Sequence, residues 1–594
     1  MCGINGILRL TPGAEPVDRE ELLRTRDHMT ARGPDGAGLW ISPDSGIGLA
    51  HRRLAIIDLS DAGLQPMARG RYRIVFNGEI YNYRQLRSEL SAQGEQFVSH
   101  SDTEVVLALF ARQGLRMLPR LRGMYAFALW DEIDRKLVLA RDPYGIKPLF
   151  YSIDSSHLRF ASQVKALEAG GGIDDSIDPA GLAGFLLWGS VPEPHTLRRG
   201  VRCLEAGHYM VVEDGKPRPP RAHHRFDGER ETGDGDPARA LETSVGAHLV
   251  SDVPVAVFLS AGLDSSLIAD LARREVDQPP TTLTLKFDVF EDTPFDEAPL
   301  AAEVARALGT RHVERLVCGA DFRDLWPSAL AAMDQPSVDG FNTYVVSRAA
   351  HDEGFKVVLS GVGGDELFGG YGTFPSVPRW SRGARTLSRV PGLGLAWPQL
   401  ARMRPSAPKL TGLLEYGSSL PGAYFWRRSL YLPSDLPRLL GADLARDALE
   451  AYDPVADCGK YLGDSCDSEW EAIHLMESTQ YMRNQLLRDS DWASMAHSLE
   501  LRTPLVDAWL HDDIARGEFE PGRSGGKAAA VRLAAPDLPA SLWTRPKTGF
   551  YIPVMQWLGE QVPFGTSPGL AARELALRVL AAFGFDLDRA GKRP

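Results

Sequence analysis

The sequence predicts an α/β protein in two parts, layered antiparallel sheets followed by a parallel-sheet α/β unit that ends in helices. Three observations carry this. Residues 1 to about 212 hold short alternating or apolar runs: YRIVFNG at 72–78, MYAFALWD at 124–131, KLVLARD at 136–142, LFYS at 149–152, LRFAS at 158–162 and HYMVVED at 208–214. Such runs are the mark of half-buried strands. The stretch GKPRPPRAHHRFDGERETGDGDP at 215–237 concentrates proline, glycine and charge without a period, as a linker does. Beyond it, β-branched runs alternate with helical ones, which argues for a parallel sheet.

Each element follows from its own pattern. Helical spacing at 18–30 and 102–113 interrupts the strands of the first part. In the second part VPVAVFLS at 253–260, LTLKF at 283–287, HVERLV at 312–317 and KVVLS at 356–360 are strands. SSLIADLARR, EAPLAAEVARALG and SRAAHDEG supply helices around them, and the chain turns helical from residue 375. The expected divisions are 1–214, a linker at 215–237, a second domain at 238–562, and a loosely attached tail at 563–594.

A chain of 594 residues is too long for one core. Lys+Arg 66 against Asp+Glu 78 leaves a net charge of -12, which argues against nucleic acid as a partner. The five cysteines, Cys2, Cys203, Cys318, Cys458 and Cys466, form no CxxC pair, so neither a disulfide framework nor a zinc site is indicated. No signal peptide and no membrane span are read, the longest apolar stretch being LAGFLLW at 182–188. A cytoplasmic location is expected, with a homodimer as the expected assembly.

The chain opens MCGINGI. Cys2 reads either as a small hydrophobe in a first strand or, once Met1 is removed, as a thiol whose own α-amino group is its base. An α-amine titrates near ~7.7–8.0 and a free thiol near ~8.5, and that pairing is a known route to an activated nucleophile.

Four further stretches accompany it: RGPD at 32–35, HRRLAIIDLS at 51–60, FNGEIYN at 76–82 and SDTEV at 101–105. Together with MCGI, in this order, they resemble the glutamine amidotransferase domain of the N-terminal-nucleophile (Ntn) type, whose fold is an αββα sandwich. The resemblance implies that Cys2 attacks the glutamine amide carbon and that its freed amine accepts the proton. It implies that the Asn77 side chain and the Gly78 N–H hold the oxyanion, Arg53 forks onto the glutamine carboxylate, and Glu79 and Asp102 take its ammonium. Backbone groups of Ile56 and Ile57 would complete the pocket. Ala31 departs from the histidine that often precedes the arginine of RGPD.

VFLSAGLDSS at 257–266 is a strand, a Ser/Gly loop and a helix start, an arrangement that binds phosphate through backbone N–H groups. No GKS or GKT follows, so it is not a Walker A loop. It resembles the SGGLDSS pyrophosphate loop of enzymes that split ATP into AMP and pyrophosphate. Ala261 replaces a glycine there, a change expected to be tolerated with φ negative.

Three more stretches, LSGVGGDELFGGY at 359–371, SMAHSLELRTPLVD at 494–507 and RPKTGFYIP at 545–553, extend the likeness. The second part thus resembles the synthetase domain of glutamine-hydrolysing asparagine synthetases, an adenine nucleotide α-hydrolase-like fold. By that resemblance Leu259, Ser260, Gly262, Ser265, Leu285, Ser360 and Gly361 hold ATP, the substrate. Asp264 and Asp365 are Mg²⁺ ligands, with Asp264 also at the nucleotide, and Lys547 meets charge at the transferring phosphoryl group. A carboxylate activated as an acyl adenylate then receives ammonia from the first domain. Aspartate is the first acceptor to consider. The alternative is another carboxylate in specialised biosynthesis, because Val362 stands where an acidic residue is usual.

Overall fold

The computed structural model describes residues 2–585 except 225–234, 294, 394–395, 398, 400–407, 464–465, 467, 517–521, 523–524, 545–551, 553 and 560–567. Lys547 therefore lies outside the described residues.

The first part is built from two antiparallel sheets. One has the order Arg202–Cys203, Phe150–Ile153, His157–Ala161, Gly3–Arg9, Ile47–Arg53, Gly36–Ile41. The other runs Lys216–Pro217, His208–Glu213, Lys136–Arg141, Gly123–Asp131, Tyr72–Ile80, Met67–Arg69, with Arg221–Ala222 also on His208–Glu213. Strand periodicity builds the layers. Val75, Ala126 and Ala128 meet Ile4, Leu8, Ile47 and Leu49 between the sheets. Their neighbours Ile74, Phe76, Phe127 and Leu129 turn the other way, with Leu86, Leu90, Val106 and Leu109 of helices Tyr83–Ala92 and Asp102–Gln113. Leu22 of helix Arg19–His28 covers the far face of the first sheet with Ile7 and Ala50. The result is the expected αββα sandwich. Its second sheet continues to Ala222, so the connecting segment starts later than residue 215.

The second part has a five-stranded parallel sheet in the order Arg311–Val317, Thr281–Phe287, Val255–Phe258, Val357–Leu359, Glu500–Arg502. Strand order reverses at Val255–Phe258, with later strands added first on one side and then on the other. In such sheets ligands bind beyond the carboxyl ends of the strands at this switch point.

Three further features depart from the sequence-based expectation. Helix Pro179–Trp188 precedes the linker but shares a core with the second part, where Leu182, Phe185 and Leu186 cluster with Leu283, Phe341 and Trp492. It is apolar on every side because it is buried on every side. The segment expected as a loose tail contributes helix Pro568–Ala582, whose Leu575, Ala576, Val579 and Leu580 enter the same core; burial of these side chains ties it down. Ala261 has φ +50°, not the negative value on which its tolerance was premised. Its methyl group occupies the left-handed region, which costs an L-residue about 1–2 kcal/mol.

Candidate active sites

The first site lies where the start of strand Gly3–Arg9 in one sheet meets strand Tyr72–Ile80 of the other. Cys2 is buried, and its backbone N–H donates to Asn77 Oδ1 at 3.0 Å. That bond turns the amide nitrogen away, and Asn77 Nδ2, also buried, has no hydrogen-bond partner among the described residues. A buried amide donor without a partner carries a desolvation cost of about 1–3 kcal/mol, which an incoming oxyanion would offset. Gly78 follows on the same strand, where a Cβ would lie 2.1 Å from Met124 O, so only glycine allows this strand approach. Burial pushes the Cys2 thiol up, and a backbone hydrogen bond from Leu54 opposes that shift.

Arg53 is buried and braced, its Nη1 donating to Ser60 O at 2.8 Å and its Nη2 to Asp58 O. A guanidinium has five N–H donors, so these two bonds orient it without exhausting it. Ile56 and Ile57 are buried, and Ile56 O accepts from Asp252 N at 3.0 Å. Asp252 Oδ2 in turn accepts from Asp58 N at 2.8 Å, so a residue of the second part pins this loop.

Glu79 and Asp102 are buried carboxylates. Asp102 Oδ2 accepts from Ile80 N at 2.9 Å, and burial pushes its carboxyl up to about 6. Glu79 is raised well above the ordinary range by burial, then by Glu500 and Asp102, and Glu79 Oε2 has no partner among the described residues. Two buried carboxyls that resist ionisation together are matched to a ligand carrying positive charge.

The second site sits at the switch point. Phe258 leads into a loop in which Ser260 N and Ser265 Oγ are 3.1 Å apart and Ser265 Oγ donates to Gly262 O at 3.2 Å. Helix Leu263–Glu275 starts there with no side-chain cap, leaving first-turn N–H groups for an anion. Ser360 and Gly361 follow the neighbouring strand Val357–Leu359. A cavity of about 260 Å³ is lined by Leu259, Ser260, Gly262, Asp264, Ser265, Leu285, Ser360, Gly361 and Asp365. The structure thus brings together every expected nucleotide-side residue that it describes.

Glycines of the GGDELFGG run make room for the two aspartates. A Cβ at Gly364 would lie 2.2 Å from Asp264 Oδ1, and one at Gly370 would lie 2.0 Å from Asp365 Oδ1. Both carboxylates accept from Lys527 Nζ, Asp264 Oδ2 at 2.5 Å and Asp365 Oδ1 closer still. Among the described residues no group of three or more His, Cys, Asp or Glu forms a metal cage. Two hard oxygen ligands converging on one cation position nevertheless fit Mg²⁺, which takes few protein carboxylates and completes its shell with water and phosphate oxygens.

The two halves of the chain match two family models: a glutamine amidotransferase domain over residues 1–224 and asparagine synthase over residues 237–563. The chain belongs to the asparagine synthase family. Its relatives include a putative glutamine-hydrolysing asparagine synthetase of Mycobacterium tuberculosis H37Rv, 34% identical over 94% of this chain and 88% of that protein. Asparagine synthetase 1 of Bacillus subtilis 168 is 32% identical over 95% and 88%, and the amidase chry2 of Gibberella zeae is 31% identical over 86% and 82%. The architecture is that of an ATP-dependent ligase, with a glutamine amidotransferase domain fused to an asparagine-synthetase-like ATP domain for glutamine-dependent amidation of a carboxylate.

Val362, singled out in the sequence, lines the cavity with Glu366. Tyr371, Asp339 and Asp489, which line it too, escaped sequence reasoning. Tyr371 OH donates to Glu366 Oε1 at 2.9 Å, and burial pushes Glu366 up to about 8. Asp489 accepts from Ser337 Oγ and Trp492 Nε1, each at 2.7 Å. Lys527 was missed as well. Its signal was a lysine in the first turn of helix Gly526–Ala534, where the helix dipole disfavours a cation.

Proposed function

We propose that this protein hydrolyses glutamine at Cys2 and passes the ammonia to its second site, where a carboxylate has been activated by ATP with release of pyrophosphate. The observation that carries the reading is the pairing of Cys2 N–H with Asn77 Oδ1 in a chain whose second cavity joins a phosphate loop to two converging aspartates.

In the first site the Cys2 thiolate attacks the amide carbon and its α-amine, free once Met1 is removed, accepts the proton. Asn77 Nδ2 and Gly78 N–H hold the oxyanion, each such donor being worth about 3–4 kcal/mol. Arg53 holds the glutamine carboxylate, Glu79 and Asp102 its ammonium, and backbone groups of Ile56 and Ile57 its rim.

In the second site Leu259, Leu285, Ser360 and Gly361 line the nucleotide, while Ser260, Gly262 and Ser265 hold its pyrophosphate. Asp264 and Asp365 would hold Mg²⁺, which neutralises phosphate charge. Lys547 meets charge at the phosphoryl group that is transferred.

The acceptor proposed first is aspartate, giving asparagine. A different carboxylate is the second reading, favoured by Val362 on the cavity wall, since valine can take no proton from attacking ammonia. AMP formation with glutamine and a panel of carboxylic acids tests both. Turnover with aspartate supports the first, turnover only with another acid supports the second, and no AMP with any acid defeats the ligase reading.

A further inference from the structure

Lys527 occupies the point on which Asp264 and Asp365 converge. Its Nζ donates to both carboxylates, across 263 and 162 residues of sequence, and its side chain is only 13% exposed. Gly525 and Gly526, with φ +91° and +63°, turn the chain so that the lysine stands in the first turn of helix Gly526–Ala534. The dipole opposes a cation there, and the two carboxylates offset that opposition.

We infer that Lys527 is a tethered cation that holds the metal position in the nucleotide-free site and yields it only when phosphate arrives. A divalent ion entering between Asp264 and Asp365 would evict the ammonium. Without nucleotide, the ammonium would be left largely buried and without these partners, which is costly. With nucleotide, the phosphates that accompany the metal give the ammonium a new anion, so one rearrangement satisfies both charges. Metal and nucleotide are thereby required to bind together, and Lys527 becomes a positioning residue for the phosphates. The inference rests on reading this cavity as the nucleotide site.

The test is Mn²⁺ binding followed by electron paramagnetic resonance, with and without α,β-methylene-ATP, which cannot be cleaved between its α and β phosphorus atoms. Wild-type protein is expected to take up Mn²⁺ at least tenfold more tightly with the analogue than without it. Lys527→Met should bind nucleotide-free Mn²⁺ at least tenfold more tightly than wild type and should bind the analogue more weakly. Lys527→Arg, which keeps the charge, should keep nucleotide-free binding weak. Tight nucleotide-free Mn²⁺ binding by wild type overturns the inference, as does a Lys527→Met variant whose Mn²⁺ affinity matches wild type. If wild type does not bind the analogue at all, the reading of the cavity itself fails, a result distinct from either of these.

Discussion

Arg32 of the first part and Asp491 of the second form a buried two-point ion pair, Nη1 to Oδ2 at 2.7 Å and Nη2 to Oδ1 at 3.1 Å. The same guanidinium donates through Nε to Cys2 O at 3.1 Å, so Cys2 is fastened to the other domain. Asp491 follows directly on Asp489 and Ser490, which line the second cavity. Breaking one partner of a buried pair leaves the other charge uncompensated, at a cost of about 3–5 kcal/mol. Asp491→Ala is expected to lower the urea midpoint and to reduce glutamine hydrolysis, because Cys2 loses its brace. An unchanged midpoint with full glutaminase activity would contradict that.

Cys2→Ala is expected to abolish glutamine-dependent synthesis and to spare synthesis from added ammonium, since no cysteine is among the described residues that line the second cavity. Mass spectrometry of active protein should show the chain beginning at Cys2. Full glutaminase activity from protein that retains Met1 would defeat the α-amine as base, and loss of both syntheses in a folded Cys2→Ala variant would contradict two separable sites.

Glutamine binding should depend on pH through Asp102 and Glu79. Burial pushes Asp102 up to about 6 and raises Glu79 well above the ordinary carboxylate range, and an ammonium ligand needs them ionised. Affinity is therefore highest at high pH and falls as pH drops through about 6, by about tenfold per unit for one proton taken up. Calorimetry on Cys2→Ala, in which thiol chemistry is absent, measures this directly. A flat affinity from pH 5 to 8, values chosen to bracket about 6, would show that neither carboxyl meets the ammonium.

Much of this was legible in the sequence where the signal was local. The short run at 72–78 identified a strand, and the continuous run at 253–260 located the Ser/Gly loop that the structure sets at the switch point. Lys527 and Asp491 were not legible as partners because their contacts span 162 to 459 residues, and no periodicity encodes an ion pair at that separation. Helix Pro179–Trp188 read as an apolar stretch, but the core that surrounds it is assembled from both parts of the chain. Glu500–Arg502, three residues long, was too short to show a strand period, although it completes the parallel sheet.

The left-handed φ of Ala261 yields a further expectation. Ala261→Gly should stabilise the phosphate loop by about 1 kcal/mol and leave nucleotide affinity equal or improved, as read by thermal shift with and without ATP. Destabilisation by glycine would mean that the buried methyl group contributes packing that outweighs the backbone strain.

A Val362→Glu variant distinguishes the two proposed acceptors. If Val362 marks only a missing proton acceptor, aspartate with ATP should still release pyrophosphate, and Val362→Glu should raise amide formation, general-base assistance being worth about 10²–10⁴-fold. If the acceptor differs, aspartate should release no pyrophosphate in either form.

The most direct test of coupled glutaminase and ligase chemistry follows amide-labelled [¹⁵N]glutamine, ATP and a carboxylate panel in one reaction. The account predicts that ¹⁵N appears in the amide of one acceptor, with one AMP and one pyrophosphate formed per labelled amide. Labelled ammonia released with no AMP, whichever carboxylate is present, would contradict it.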